Sequence, residues 1–202
     1  MKVRTAIRRT PKMVRNAVRD LRYGALLGGT VRSRYEHLGA HDVGNADYDD
    51  LGILFAAAEV RRDDVIVDVG AGKGRAVNWL LRHHPENRVI GIELDPEICA
   101  ATAKRLRKHR QVEIVCGDAI ELLPADGTLF YLFNPFEADV MVRFRDALAE
   151  RRAGHGRTRI VYYNVKALDL FEADPRFDVR LLDDPRLTLP SALVDLVEPQ
   201  AK

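Results

Sequence analysis

The stretch "VDVGAGKGR" (67–75) ends a β-rich run on Asp68 and Val69, then sets glycines at every second position, Gly70, Gly72 and Gly74, before a helix-like segment begins. Alternate glycines let a backbone turn sharply and approach a ligand closely. Three in five residues exceed what a plain strand-to-helix turn requires. A P-loop needs Ser or Thr after its Gly-Lys pair, and here Gly74 follows Lys73. A dinucleotide fingerprint spaces its glycines G-x-G-x-x-G, not G-x-G-x-G. Asp68 would repel a pyrophosphate and welcome a cationic ligand.

Outward from this loop the chain alternates short β-rich runs with helical patterns. Strands are expected at 65–69, 88–93, 112–116, 128–133 and 158–165, and a final pair at 177–182 and 191–197. Helices are expected at 74–84, 96–109, 119–123, 137–152 and 166–173, with Asp95 capping the second and Pro96 in its first turn. A further helix over 47–60 precedes the sheet, with Asp47 as its cap. This order implies a parallel sheet with helices on both faces, closed by an antiparallel hairpin, because "DDPRLTLP" is too short to hold a crossover helix.

The 202 residues are 47% hydrophobic and 31% charged, the balance of a globular chain with a full core. No apolar run approaches the roughly 18 residues that span a bilayer. Cys99 and Cys116 fit no metal spacing; two thiols suggest a reducing compartment, so a cytoplasmic location is expected. Both read as small buried hydrophobes, Trp79 as a packing residue, and His83 and His84 as helix-end residues. The net charge of +2 conceals an asymmetry: residues 1–34 hold ten Lys or Arg against the single acid Asp20, so that segment carries +9 and the remainder −7.

Two further acids follow Asp68 at strand ends. Glu93 closes the second strand, where a carboxylate suits the two hydroxyls of a ribose. Asp118, in "CGDA" just past the third, can accept from an exocyclic adenine amine or cap a helix. With these residues the chain resembles the class I S-adenosylmethionine-dependent methyltransferases: "VDVGAGKG" looks like their first motif, "GIELD" their ribose-binding acid and "GDA" their adenine-binding loop, over about residues 46–200. The resemblance implies a Rossmann-like, seven-stranded, mostly parallel sheet with S-adenosyl-L-methionine as cofactor. Asp68, Gly70, Ala71, Gly72 and Gly74 would hold its methionine part, Glu93 with Leu94 its ribose, and Asp118 with Ala119 its adenine.

The fourth strand, "TLFYLF", ends abruptly on Asn134, Pro135 and Phe136. In this family the corresponding position of nitrogen methyltransferases often reads Asn/Asp-Pro-Pro-Phe/Tyr, one proline more than here. By that resemblance the Asn134 side chain and the Pro135 carbonyl would aim a substrate amine, with Phe136 packed beside it. Asn134 could instead hold the cofactor's amino group, or simply cap the next helix. A hydroxyl acceptor would need a base. Tyr35, His37, His41 and Tyr48, on a segment that often covers the site in this family, are candidates, as are Tyr162, Tyr163 and Asn164. No catalytic metal is expected, since Asn134 replaces the acids of metal-dependent relatives.

Residues 2–23 place Val3, Ile7, Val14, Val18 and Leu21 at roughly helical spacing among arginines, with Pro11 splitting them into two short helices. Such an arm suits an anionic membrane surface, nucleic-acid phosphates or a transit peptide; it equally suits packing on the acidic body or in a homodimer. The expected organisation is a basic N-terminal extension or lid over 1–45 and a catalytic domain over 46–202. The expected function is methyl transfer to a nitrogen or oxygen of a small molecule, a glycan-lipid, a protein amine or RNA. The rivals are a nicotinamide-dependent oxidoreductase and a non-catalytic binding module.

Overall fold

The computed structural model describes residues 2–35, 37, 39–41 and 44–197, and side chains from Lys12 onward. Seven strands form one sheet: β1 (Val65–Val69), β2 (Arg88–Glu93), β3 (Val112–Cys116), β4 (Leu129–Phe133), β5 (Thr158–Tyr163), β6 (Phe177–Leu181) and β7 (Ser191–Leu196). Their order is β3-β2-β1-β4-β5-β7-β6. The first five pair in parallel, and β7 runs antiparallel to both β5 and β6. The expected topology, including the closing hairpin, is the observed one.

Helices α1 (Lys2–Leu21), α2 (Tyr48–Ala57), α3 (Arg75–His83), α4 (Pro96–Leu106), α5 (Ala138–Arg152) and α6 (Asp169–Glu172) cover the sheet. Strand residues alternate between two cores. Ile66, Leu129 and Tyr131 pack with Leu51, Leu54, Phe55 and Leu80, while Val67, Val69, Phe130 and Leu132 pack with Met141, Phe144 and Leu148. Strand order reverses between β1 and β4, which opens a crevice beyond their carboxyl ends.

Several expectations need correction. Pro11 does not divide the N-terminal segment: α1 is one helix through it. The helix expected at 119–123 is absent: residues 119–122 form turns, because "IELLP" reaches Pro124 before a second turn can close. Asp47 sits at the N-cap of α2 yet makes no capping bond; its carboxylate is taken by Asn16 and by Lys12 at 2.6 Å. Arg15 and Arg19 both reach Asp49, at 2.8 and 2.7 Å, so α1 lies against the acidic start of α2. Cys116 is exposed, and only Cys99 is buried. By contrast Asp95 caps α4 as expected, accepting from the amides of Glu97 and Ile98.

Gly91, in the middle of β2, shows how tightly the crevice floor is built. A Cβ there would lie 2.8 Å from Ile114 Cδ1 and 2.9 Å from Ala71 Cβ. The isoleucine tip can swing aside, but Ala71 is fixed to the glycine loop. Gly91→Ala is therefore expected to cost about 1–3 kcal/mol in denaturant unfolding and to displace the loop.

Candidate active site

The glycine loop is held by its own amides. Gly70 and Ala71 N–H both donate to the Ile92 carbonyl at 2.9 Å, Gly72 N–H donates to Glu93 Oε2 at 2.7 Å, and Gly74 N–H donates to the Ala71 carbonyl at 2.8 Å. Gly70, Gly72 and Gly74 have φ of 77°, 53° and 73°, a region that strains any side chain. A phosphate cradle needs loop amides left free to point at the anion. Here four of them are spent within the fold, which argues against a pyrophosphate and so against the oxidoreductase alternative.

A cleft of about 460 Å³ opens above the loop, at the point of strand reversal. Asp68, Gly70, Ala71, Glu93, Leu94, Asp118, Ala119, Asn134, Pro135 and Phe136 all line it, as do Tyr35, His37 and His41. Gly72 and Gly74 do not: the first fastens Glu93, and a Cβ on the second would meet Thr102 and Arg105 side-chain atoms at 3.0 Å. Glu93 accepts from Gly72 N–H on one oxygen and from Asp95 N–H, at 2.9 Å, on the other. A carboxylate oxygen has a second lone pair, so Glu93 keeps acceptor capacity toward the cleft. Burial raises its pKa. Asp118 accepts from Ile120 N–H at 2.8 Å through Oδ1.

Asp68 is buried, and its carboxylate has no hydrogen-bond partner among the described residues. Burial, then the nearby Glu93, pushes its carboxyl up to about 7. Beside it, in register on β4, the Tyr131 hydroxyl is buried and unpartnered, and burial raises its pKa as well. A bare carboxyl and an orphaned hydroxyl on one cleft wall fit a ligand carrying a cation and hydrogen-bonding groups, which the amino-acid end and sulfonium of S-adenosylmethionine supply.

The Asn-Pro-Phe turn has a structural explanation. Asn134 takes a left-handed φ of 40°, and the chain at 39–41 pairs with it: Ala40 bridges Phe136, His41 N–H donates to the Pro135 carbonyl at 3.1 Å, and Glu137 N–H donates to the Gly39 carbonyl at 2.9 Å. Asn134 Oδ1 accepts from the Tyr162 hydroxyl at 3.1 Å, and that hydroxyl in turn accepts from Ala167 N–H. Both oxygens assigned to a substrate amine thus already hold a donor within the fold. The Asn134 side-chain nitrogen is unpartnered among the described residues and is open to a ligand, while each of the two oxygens keeps one lone pair.

The general-base candidates separate. His41 lines the cleft with Nδ1 3.4 Å from Glu137 Oε1. Tyr48 does not reach it: buried beneath α1, it donates to Asp20 Oδ1 at 2.9 Å. Its placement as a catalytic residue is corrected, since Tyr48 opens α2 and is turned toward α1, away from the cleft. Tyr163 is likewise withdrawn, its hydroxyl bound to Asp50 Oδ2 at 2.6 Å. Sequence reasoning missed Tyr131, hidden in an apolar run, and Arg75, which lines the cleft and pairs with Asp20 at 2.7 Å. The solitary acid of the basic arm was the available signal for the second. Among the described residues no group of three or more His, Cys, Asp or Glu is placed to hold a metal ion.

Residues 66–153 match a family described as a methyltransferase domain. Over 134 residues the chain is 31% identical to a probable ribosomal RNA small subunit methyltransferase A of Methanopyrus kandleri, covering 63% of this chain and 45% of the relative. Over 107 residues it is 29% identical to a tRNA (guanine-N(7)-)-methyltransferase of Staphylococcus carnosus, covering 52% and 46%. The chain thus spans less than half the length of these relatives. An RNA methyltransferase from Salinibacter ruber, solved with S-adenosyl-L-homocysteine, superposes with a TM-score of 0.60 at 23% identity, covering 79% of this chain and 96% of that one. At that identity the likeness is one of fold.

The raised Asp68 pKa has a consequence with a definite sign. The unfolded carboxyl titrates near 3.8 and the folded one near 7, so the folded state binds more protons between them. Stability then falls as pH rises through that window, and a cationic ligand is held best above it. Affinity for S-adenosylhomocysteine, which keeps the ammonium group, is expected to weaken by up to about tenfold per pH unit below 7. Asp68→Asn should flatten that profile in calorimetric titrations.

Proposed function

The chain belongs to the class I S-adenosylmethionine-dependent methyltransferases, and from that premise we propose that it transfers the cofactor's methyl group to a nitrogen or oxygen of an RNA acceptor. The observation that carries the transfer reading is the trio Asp68, Glu93 and Asp118 at the ends of three successive strands around one cleft. The RNA acceptor is supported by the names of the relatives, one acting on ribosomal RNA and one on tRNA.

S-adenosylmethionine supplies a methyl group on a sulfonium whose leaving group is already good, so the protein's contribution is mainly position and charge. Asp68 would face the cationic end of the cofactor, Glu93 would accept from the ribose hydroxyls, and Asp118 would accept from the adenine. The acceptor would pack against Tyr35, His37 and Phe136, which line the cleft. His41 lies there too; with Nδ1 turned to Glu137, its Nε2 is left to take a proton from an acceptor that must lose one.

Titration with S-adenosylmethionine, S-adenosylhomocysteine and NADH tests the first half. Micromolar binding of the two sulfur ligands and none of NADH is expected. Glu93→Ala should lose at least about tenfold in affinity, since it removes a ribose acceptor and leaves the Gly72 and Asp95 amides unsatisfied. Incubation with labelled cofactor and separate RNA, protein and glycolipid fractions tests the second half, with label expected in RNA. Label confined to protein or glycolipid would reject the acceptor and keep the enzyme class; failure of a folded sample to bind either sulfur ligand would reject both.

A further inference from the structure

Arg75 puts a guanidinium into the wall of a cleft that must accept a cation. It follows Gly74 directly, lines the same cleft as Asp68, and is only 6% exposed. In a poorly solvated wall an unpaired guanidinium would oppose a sulfonium. The chain answers this charge from the N-terminal helix. Asp20, 0% exposed, receives Arg75 Nε on Oδ1 at 3.1 Å and Arg75 Nη2 on Oδ2 at 2.7 Å. Leu27 N–H and the Tyr48 hydroxyl hold the same carboxylate, at 3.1 and 2.9 Å, and Asn78 supports Tyr48. A carboxylate with four donors, buried at the end of a helix otherwise rich in arginine, is a built feature and not a stray surface acid.

We propose that Asp20 is a positioning residue that sets the charge of the cofactor cleft: by neutralising Arg75 it allows the sulfonium cofactor to be held against its neutral thioether product. The inference rests on the S-adenosylmethionine reading above. The same segment also braces the glycine loop. Arg105 donates to the carbonyls of Tyr23 and Lys73, and Lys73 Nζ to those of Gly28 and Gly29. Residues 20–29, none of which lines the cleft, therefore act on it through one charge and several backbone clamps.

A structural role alone would weaken both ligands together, so the ratio of their affinities is the discriminating readout. An uncompensated unit charge within about 10 Å, at the effective dielectric of a protein, shifts the affinity of another ion on the order of tenfold. Calorimetry on Asp20→Asn should show the ratio of Kd for S-adenosylmethionine to Kd for S-adenosylhomocysteine rising at least about fivefold, and Asp20→Asn with Arg75→Gln should return it close to wild type. Asp20→Asn leaving the ratio unmoved, with both ligands weakened alike, would overturn the proposal. Should that variant not fold, Arg75→Gln alone carries the test: the ratio should move the opposite way, toward S-adenosylmethionine, and an unmoved ratio would be fatal. Wild-type protein that binds neither ligand would reject the cofactor reading instead, which keeps the two failures distinct.

Discussion

The site depends on the fastening of a glycine loop to the end of the neighbouring strand. The Ile92 carbonyl and the Glu93 carboxylate together take the amides of Gly70, Ala71 and Gly72. That arrangement turns the loop's donors inward and leaves the crevice walled by acids. Phosphate-binding loops do the reverse, keeping their amides for the ligand. The difference between a site for an anion and a site for a cation thus comes down to which way three N–H groups point. It also explains why Gly91 must lack a side chain: its Cβ would lie 2.9 Å from Ala71 Cβ.

Electrostatics then shape the cleft in two layers. The inner layer is acidic and poorly solvated, with Asp68 pushed up to about 7 by burial and by Glu93. Such a carboxyl is costly without a cation beside it and favourable with one. The second is a buried balance of charges brought from elsewhere in the chain. Arg75 enters from α3 and its compensation from α1. The more exposed pairs of Arg15 and Arg19 with Asp49 each contribute little, about 0–1 kcal/mol, whereas breaking a buried pair such as Asp20–Arg75 costs several times as much. The basic segment is therefore docked on the acidic body by many weak contacts and one strong one.

The residues at 39–41 perform a different task from α1. They pair with the Asn-Pro-Phe turn and place His41 at the cleft wall. Gly39 permits this, because with φ of 76° its Cβ would sit 2.6 Å from Val140 Cγ2. The abrupt end of β4 is the consequence: the turn that follows the strand gives its Pro135 carbonyl to the N-terminal segment. The described residues ahead of α2 accordingly make two sets of contacts, one bracing the glycine loop and one lining the cleft.

Local patterns were enough for the sheet, its closing hairpin, the glycine loop and the three strand-end acids, because each rests on spacing within one short segment. Apolar runs without alternation marked strands buried on both faces, and Asp95-Pro96 marked a helix start. What depended on distant partners was not legible. Asp47 has the right residue and position for a cap, yet Lys12 and Asn16 claim it. Tyr48 faces α1 and not the cleft, the Pro135 carbonyl is taken by His41, and Tyr131 stands unpartnered beside Asp68. Hydrogen-bonding capacity is read from a residue's type, but which partner spends it is decided only when segments far apart in the chain are packed together.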